Sequence, residues 1–145
     1  MKTTSIGRFF ALTLTLTAFP FFFTCCCDPS LLPNQTWVLE KYGPASSLNM
    51  VIAGPGQEPE LTMDAGNHFT GHDGCNAIFG YYDAGKNCRI RFDSISTTLI
   101  LCQEDVMNQA NAVATLLKKV NKFEVTDTRL KLCAPGDELL EYRKK

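Results

Sequence analysis

The sequence predicts an α+β domain: a small antiparallel sheet, barrel-like or strongly bent, with one main helix at about 104–119. Three observations predict it. Short runs rich in β-branched and aromatic residues recur between turns of Gly, Pro, Asn and Asp, the signature of closed or strongly bent antiparallel sheets. One stretch alone, Glu104–Lys119, spaces its apolar residues by three and four. Glycines gather in Gly71-His72-Asp73-Gly74-Cys75-Asn76-Ala77-Ile78-Phe79-Gly80-Tyr81-Tyr82, where a backbone turns tightly or passes close to a neighbouring strand.

Taken in order, residues 28–36 read as a short tether and Trp37–Tyr42 as the first strand. Gly43–Ser47 is a turn, Met50–Ala53 a short strand, and Gly54–Pro59 a loop with strong turn chemistry. Glu60–Asp64 alternates polar and apolar residues, as a half-buried strand does, and Asn67–Gly71 follows after a turn. Ala77–Tyr82 is a strand in which Gly80 marks a bulge or a close approach. After the Asp83–Asn87 turn, Cys88–Phe92 alternates with Cys88, Ile90 and Phe92 inward, and Ser94–Thr98 is β-prone. The helix presents Val106, Met107, Ala110, Val113, Ala114 and Leu117 on one face, and Lys118 and Lys119 complement its C-terminal dipole. Lys122–Thr126, Arg129–Cys133 and Glu138–Tyr142 close the chain, the last two as a hairpin.

The N-terminus reads as a secretory signal over residues 1–24. Lys2 and Arg8 form its basic region, and Phe9–Phe23 is apolar for fifteen residues. A membrane span needs roughly 20, and Pro20 breaks a helix. The Cys25-Cys26-Cys27 cluster that follows is similar to a bacterial lipoprotein signal, with Cys25 or Cys27 as the lipid acceptor. The expected organisation is therefore a signal at 1–24, a tether at 25–36 and one domain at 37–145, exported to the periplasm or anchored in the bacterial envelope. Removal of Lys2 and Arg8 leaves 12 basic against 15 acidic residues, a net charge of −3. That balance argues against a nucleic-acid partner.

Four cysteines lie within the domain: Cys75, Cys88, Cys102 and Cys133. In an exported protein an even count points to disulfides, and four cysteines allow three connectivities. There is no Cys-x-x-Cys pair to suggest a zinc ribbon or a thioredoxin-like centre.

The pattern resembles the META domain, also called HslJ-like. The resemblance rests on Trp37-Val38-Leu39, on Gly71, Gly74, Cys75, Asn76, Gly80 and Tyr82 mid-domain, on Thr98 through Cys102, and on Leu130, Leu132, Gly136, Asp137, Leu139 and Tyr142. Ile100 stands where relatives usually carry Met, and Asn108 and Gln109 where the helix usually has Glu. Cys88 and Cys133 occupy positions that are plain apolar strand residues in relatives. The resemblance thus implies pairing these two with each other, which leaves Cys75 with Cys102. It also implies a barrel-like α+β fold, no established catalysis, and kinship with envelope proteins tied to stress response, drug tolerance, motility or virulence.

Candidate sites are few. His68 and His72 are the only histidines, and their i, i+4 spacing suggests at most a weak metal site beside Asp73 and Cys75. A Cys75–His72 dyad requires a reduced thiolate, which export disfavours. The sequence has no Gly-x-Ser-x-Gly and no phosphate-binding loop. Phe79, Tyr81 and Tyr82 are candidates to line a ligand pocket, although strand aromatics commonly pack in a core. No catalytic residue and no cofactor are expected. The expected function is a non-enzymatic envelope domain with a binding or stress-related role, its partner an envelope protein or a small ligand. The alternatives are a small-molecule carrier, or a secreted hydrolase inhibitor using the Gly54–Pro59 loop.

Overall fold

The computed structural model describes residues 27–54 and 57–145. The expected signal segment and Cys25 lie outside the described residues. Nine strands form one antiparallel sheet: β1 (Gln35–Pro44), β2 (Asn49–Met50), β3 (Glu60–Met63), β4 (His68–His72), β5 (Ala77–Ala84), β6 (Ile90–Thr97), β7 (Lys122–Val125), β8 (Arg129–Ala134) and β9 (Glu138–Lys144). Among the described residues a single long helix, α1 (Glu104–Lys119), joins β6 to β7. The strand order is β6-β5-β4-β3-β1-β9-β8-β7, with β2 on β1.

The sheet curls so strongly that its two ends meet. Arg89 and Lys122 form an antiparallel bridge between the entry to β6 and the start of β7. Ile90 N donates to the Asn121 carbonyl at 3.3 Å, and Phe123 N to the Cys88 carbonyl at 2.9 Å. The architecture is thus an α+β half-barrel drawn nearly shut at one seam, with α1 packed on the sheet.

Alternation decides which side chains fill the interior. On β5, Ile78 and Tyr82 are buried while Phe79 and Tyr81 are exposed. On β7 and β8 the inward set is Phe123, Val125, Leu130 and Leu132. These meet Trp37, Phe69 and Leu140 from the sheet and Val113, Leu116 and Leu117 from α1 in one cluster. Each such aliphatic or aromatic side chain contributes roughly 1.5–3 kcal/mol on burial. Curling is aided at Gly80, where a Cβ would sit 2.7 Å from the Asp93 carbonyl oxygen, and the β5–β6 register shifts between Phe79 and Tyr81.

Several sequence expectations need correction. The segment read as a tether is packed: Pro29–Leu31 forms a 3-10 turn, Leu32 is fully buried, and Asn34 N donates to the Met63 carbonyl. β1 accordingly begins at Gln35, two residues before Trp37. The short strand read at Met50–Ala53 is only Asn49–Met50. Cys88 is not an inward strand residue. Its φ of 59°, next to Asn87 at 62°, places it in a left-handed turn before β6. Cys133 lies on the face of β8 opposite its buried neighbours Leu132 and Ala134.

Candidate functional site

The glycine-rich segment builds a turn that holds a second loop. At the end of β4, Asp73 is buried, and its Oδ1 accepts from Cys75 N at 2.9 Å and from Asn76 N at 2.6 Å. This is the local side-chain-to-backbone bonding by which Asp stabilises a turn. Gly74, with φ of +102°, takes a conformation that L side chains avoid, and a Cβ there would meet Gln109 Nε2 at 2.8 Å. His72 Nδ1 accepts from Gly74 N at 3.1 Å. Gly71 has a different reason: a Cβ would collide with the Glu60 carbonyl oxygen of β3.

Asn76 then reaches across to the segment between β6 and α1. Its Oδ1 accepts from Ile100 N at 2.8 Å and from Thr98 Oγ1 at 3.3 Å, and Thr98 Oγ1 accepts from Ala77 N. A disulfide joins Cys75 to Cys102, Cα to Cα 6.0 Å. The loop is therefore tied on both sides of Leu99-Ile100-Leu101. Its apolar side chains nonetheless face solvent, Leu99 at 97% and Leu101 at 91% exposure. Exposing a Leu forgoes roughly 1.5–3 kcal/mol of burial, and this braced loop carries two such residues.

The remaining candidates separate. Cys88 is bonded to Cys27, not to Cys133, which corrects the expected pairing. The curl of the sheet brings the turn before β6 to the chain entry, where Cys27 meets Cys88. Cys27, one of the two expected lipid acceptors, is thus the partner of Cys88 in the structure. His68 and His72 stand at opposite ends of β4, about 13 Å apart at the strand rise. His68 instead pairs with Asp64 at 3.2 Å and packs on Tyr81 at 4.9 Å between ring centres. Among the described residues no cluster of three His, Cys, Asp or Glu could hold a metal. Phe79 and Tyr81 lie on the outer face and Tyr82 on the inner one, so the three do not share a pocket.

Two electrostatic effects mark the other end of β4, at the Asp64–His68 turn. Backbone donation from His68 N, followed by that from Gly66 N, holds the Asp64 carboxyl below its ordinary value against partial desolvation. Burial pushes the Tyr82 phenol up, with a smaller contribution from Asp64, whose carbonyl accepts from Tyr82 Oη at 2.7 Å.

Gln109, on α1, was seen in sequence only as a departure from a family pattern. It is 1% exposed, accepts from Ile52 N at 2.7 Å and donates to the Ile52 carbonyl at 2.9 Å. One side-chain amide thus substitutes for a strand partner and pins the stretch after β2 to the helix. A buried polar residue in the second apolar turn of the helix was the available signal.

Comparison with known proteins agrees with this geometry. The META domain family matches residues 30–145. The fold is similar to an NMR structure of a protein from Burkholderia xenovorans, at TM-score 0.71 and 18% identity, covering 100% of this chain and 99% of that one. A second NMR structure aligns at TM-score 0.63 and 20% identity, over 80% and 93% of the two chains. A crystal structure of a DUF4847 family protein from Bacteroides vulgatus aligns at 0.59 and 16%, over 79% and 94%. The comparison with curated proteins found no match. With the family's glycine, cysteine and asparagine positions forming one braced turn, and its model matched from the 3-10 turn to the last strand, the chain belongs to the META domain family.

Proposed function

We propose that this protein is an exported, non-catalytic domain of the bacterial envelope, lipid-anchored at Cys25, that binds another envelope protein through Leu99-Ile100-Leu101. The observation that carries this reading is the bracing of an exposed apolar loop by Asn76 and the Cys75–Cys102 disulfide. A loop held in shape before binding loses little conformational entropy when it docks. Burial of Leu99 and Leu101 in an apolar cleft then supplies roughly 3–6 kcal/mol. The disulfides suit an oxidising compartment. Cys27 has its sulfur committed to Cys88, so the lipid is assigned to the other expected acceptor. Cys75, bonded to Cys102, offers no thiolate for a dyad with His72, whose Nδ1 accepts from Gly74 N. The half-barrel interior is filled by Trp37, Phe69, Phe123, Leu132 and Leu140, which does not favour a small-molecule carrier.

The same exposed, braced loop gives a hydrolase inhibitor a structural basis, with Leu99–Leu101 and not Gly54–Pro59 as the inserted segment. Both readings are tested by placing a photo-crosslinking side chain at Leu101 in the native envelope. We expect a crosslink to one protein that is lost on combining Leu99→Asp with Ile100→Asp, while thermal stability is unchanged. A hydrolase as the crosslinked protein selects inhibition. A crosslinking pattern indifferent to both substitutions overturns the proposal.

A further inference from the structure

The seam where the half-barrel closes carries a concentration of positive charge that the overall negative balance of the chain conceals. Lys86, Arg89, Arg91, Lys118 and Lys122 line an open cavity of about 720 Å³ floored by Ile90 and Val120, with Asp83 as the carboxylate among its lining residues. Arg91 is neutralised by Asp93 at 2.8 Å. Among the described residues, no carboxylate lies within ion-pairing distance of Lys86, Arg89, Lys118 or Lys122. Arg89 and Lys122 are moreover direct cross-strand partners in the bridge that shuts the seam. Like charges facing each other across a sheet destabilise it. Folding energy is thus spent against this arrangement at the closure point, as proteins tolerate at sites of function.

The chain entry is fixed at the same place. Cys88 lies between Lys86 and Arg89 in sequence and is bonded to Cys27, with their Cα atoms 4.9 Å apart. Cys25 is two residues earlier, a reach of at most about 7 Å. A lipid on Cys25 therefore holds these cations within about one to two Debye lengths of the membrane surface, where anionic headgroups attract them.

We propose that the seam cavity is a docking surface for the phosphate headgroups of anionic phospholipid in the membrane that holds the anchor, fixing the orientation of the domain. The distance argument rests on the anchored reading above; the charge cluster does not. In that orientation the cavity faces the bilayer.

The test uses the exported, disulfide-bonded chain carrying Cys25→Ser, which removes the proposed lipid acceptor and keeps Cys27–Cys88. Vesicles containing phosphatidylglycerol are expected to bind this protein and vesicles of phosphatidylcholine alone are not. Arg89→Gln and Lys122→Gln are each expected to weaken binding roughly fivefold, from about 1 kcal/mol per charge. Both are also expected to raise the melting temperature of the free protein, because they relieve the facing charges. A merely structural role would lower it. Vesicle binding unchanged when Arg89→Gln and Lys122→Gln are combined overturns the proposal, as does binding abolished by inorganic phosphate at equal ionic strength, which marks a small-anion site. Mass spectrometry of the N-terminal peptide from the unmutated protein reports separately on the lipid. Vesicle binding without a lipid on Cys25 refutes the anchor and leaves the cavity assignment standing.

Discussion

Asn76 Oδ1 accepts the backbone N–H of Ile100 at 2.8 Å, so a residue of the glycine-rich turn sets the shape of the most exposed apolar loop described. Asn76→Ala removes the acceptor for both Ile100 N and Thr98 Oγ1. The expected cost is about 1 kcal/mol in denaturant unfolding, typical of a partly exposed hydrogen bond. Amide exchange at Ile100 should accelerate, and crosslinking from Leu101 should fall. Asn76→Asp keeps the oxygen and should lose less. An Ile100 amide as protected in the Ala variant as in the parent would show that the disulfide alone braces the loop.

Gly71 is a steric requirement of the β3–β4 pairing, where it faces Leu61 in register. A methyl group there meets the Glu60 carbonyl oxygen, a backbone atom with little freedom to move. Gly71→Ala is expected to destabilise by about 1–3 kcal/mol, the range for forced overpacking. Gly85, with nothing within 4 Å of its Cβ position, is the control at which Ala is tolerated. Equal melting temperatures for the two variants would contradict the close approach.

Gln109 holds both backbone groups of Ile52. Gln109→Leu preserves volume but leaves a donor and an acceptor without partners, at about 1–3 kcal/mol for each group that stays buried. Gln109→Glu adds a pH dependence. A carboxylate at this buried position faces the Ile52 carbonyl and is favoured in its protonated form, so its folded pKa rises above the unfolded value of about 4.3. The variant should be most stable below that value and weaken as pH rises toward neutrality. A flat difference between parent and variant across this range would argue that the site opens to water.

Tyr82 and Tyr142 titrate above the ordinary phenol value, both mainly because burial disfavours the phenolate. A group whose folded pKa is raised stabilises the fold fully below its unfolded value, about 10 for Tyr, and that contribution is lost as pH rises through the elevated folded values. Alkaline unfolding above about pH 10 should therefore coincide with the appearance of tyrosinate absorbance from these residues. Tyr142→Phe, which removes the buried hydroxyl, should move the transition to higher pH. Tyrosinate absorbance complete before any loss of structure would show that neither ring is sealed by the core.

Much of the local structure was legible in the chain. Helix α1 has the limits its apolar spacing predicts, since three- and four-residue periodicity over sixteen residues has few other solutions. The hairpin of β8 and β9 was legible from the turn at Gly136 and Asp137, both of which adopt positive φ. Gly80 was legible as a bulge because a glycine inside an alternating aromatic strand has little other reason to be there. Where local signals were weak, the reading failed. Leu32 looked like tether because two prolines flank it at close range, and only the Met63 carbonyl waiting for Asn34 N draws that segment onto the sheet.

By itself, the sequence determined the α+β class, the strand and helix order and the family, because these follow from periodicity, turn residues and motif spacing along the chain. Tertiary structure alone decided that Cys88 bonds to Cys27, that Leu99 and Leu101 stand outside the core, and that Lys86, Arg89, Lys118 and Lys122 share one cavity. The physical reason is the curl of the sheet. It brings the β6 entry, the start of β7 and the chain entry to one seam, and no pattern of near neighbours in sequence encodes how far a sheet bends before its ends meet.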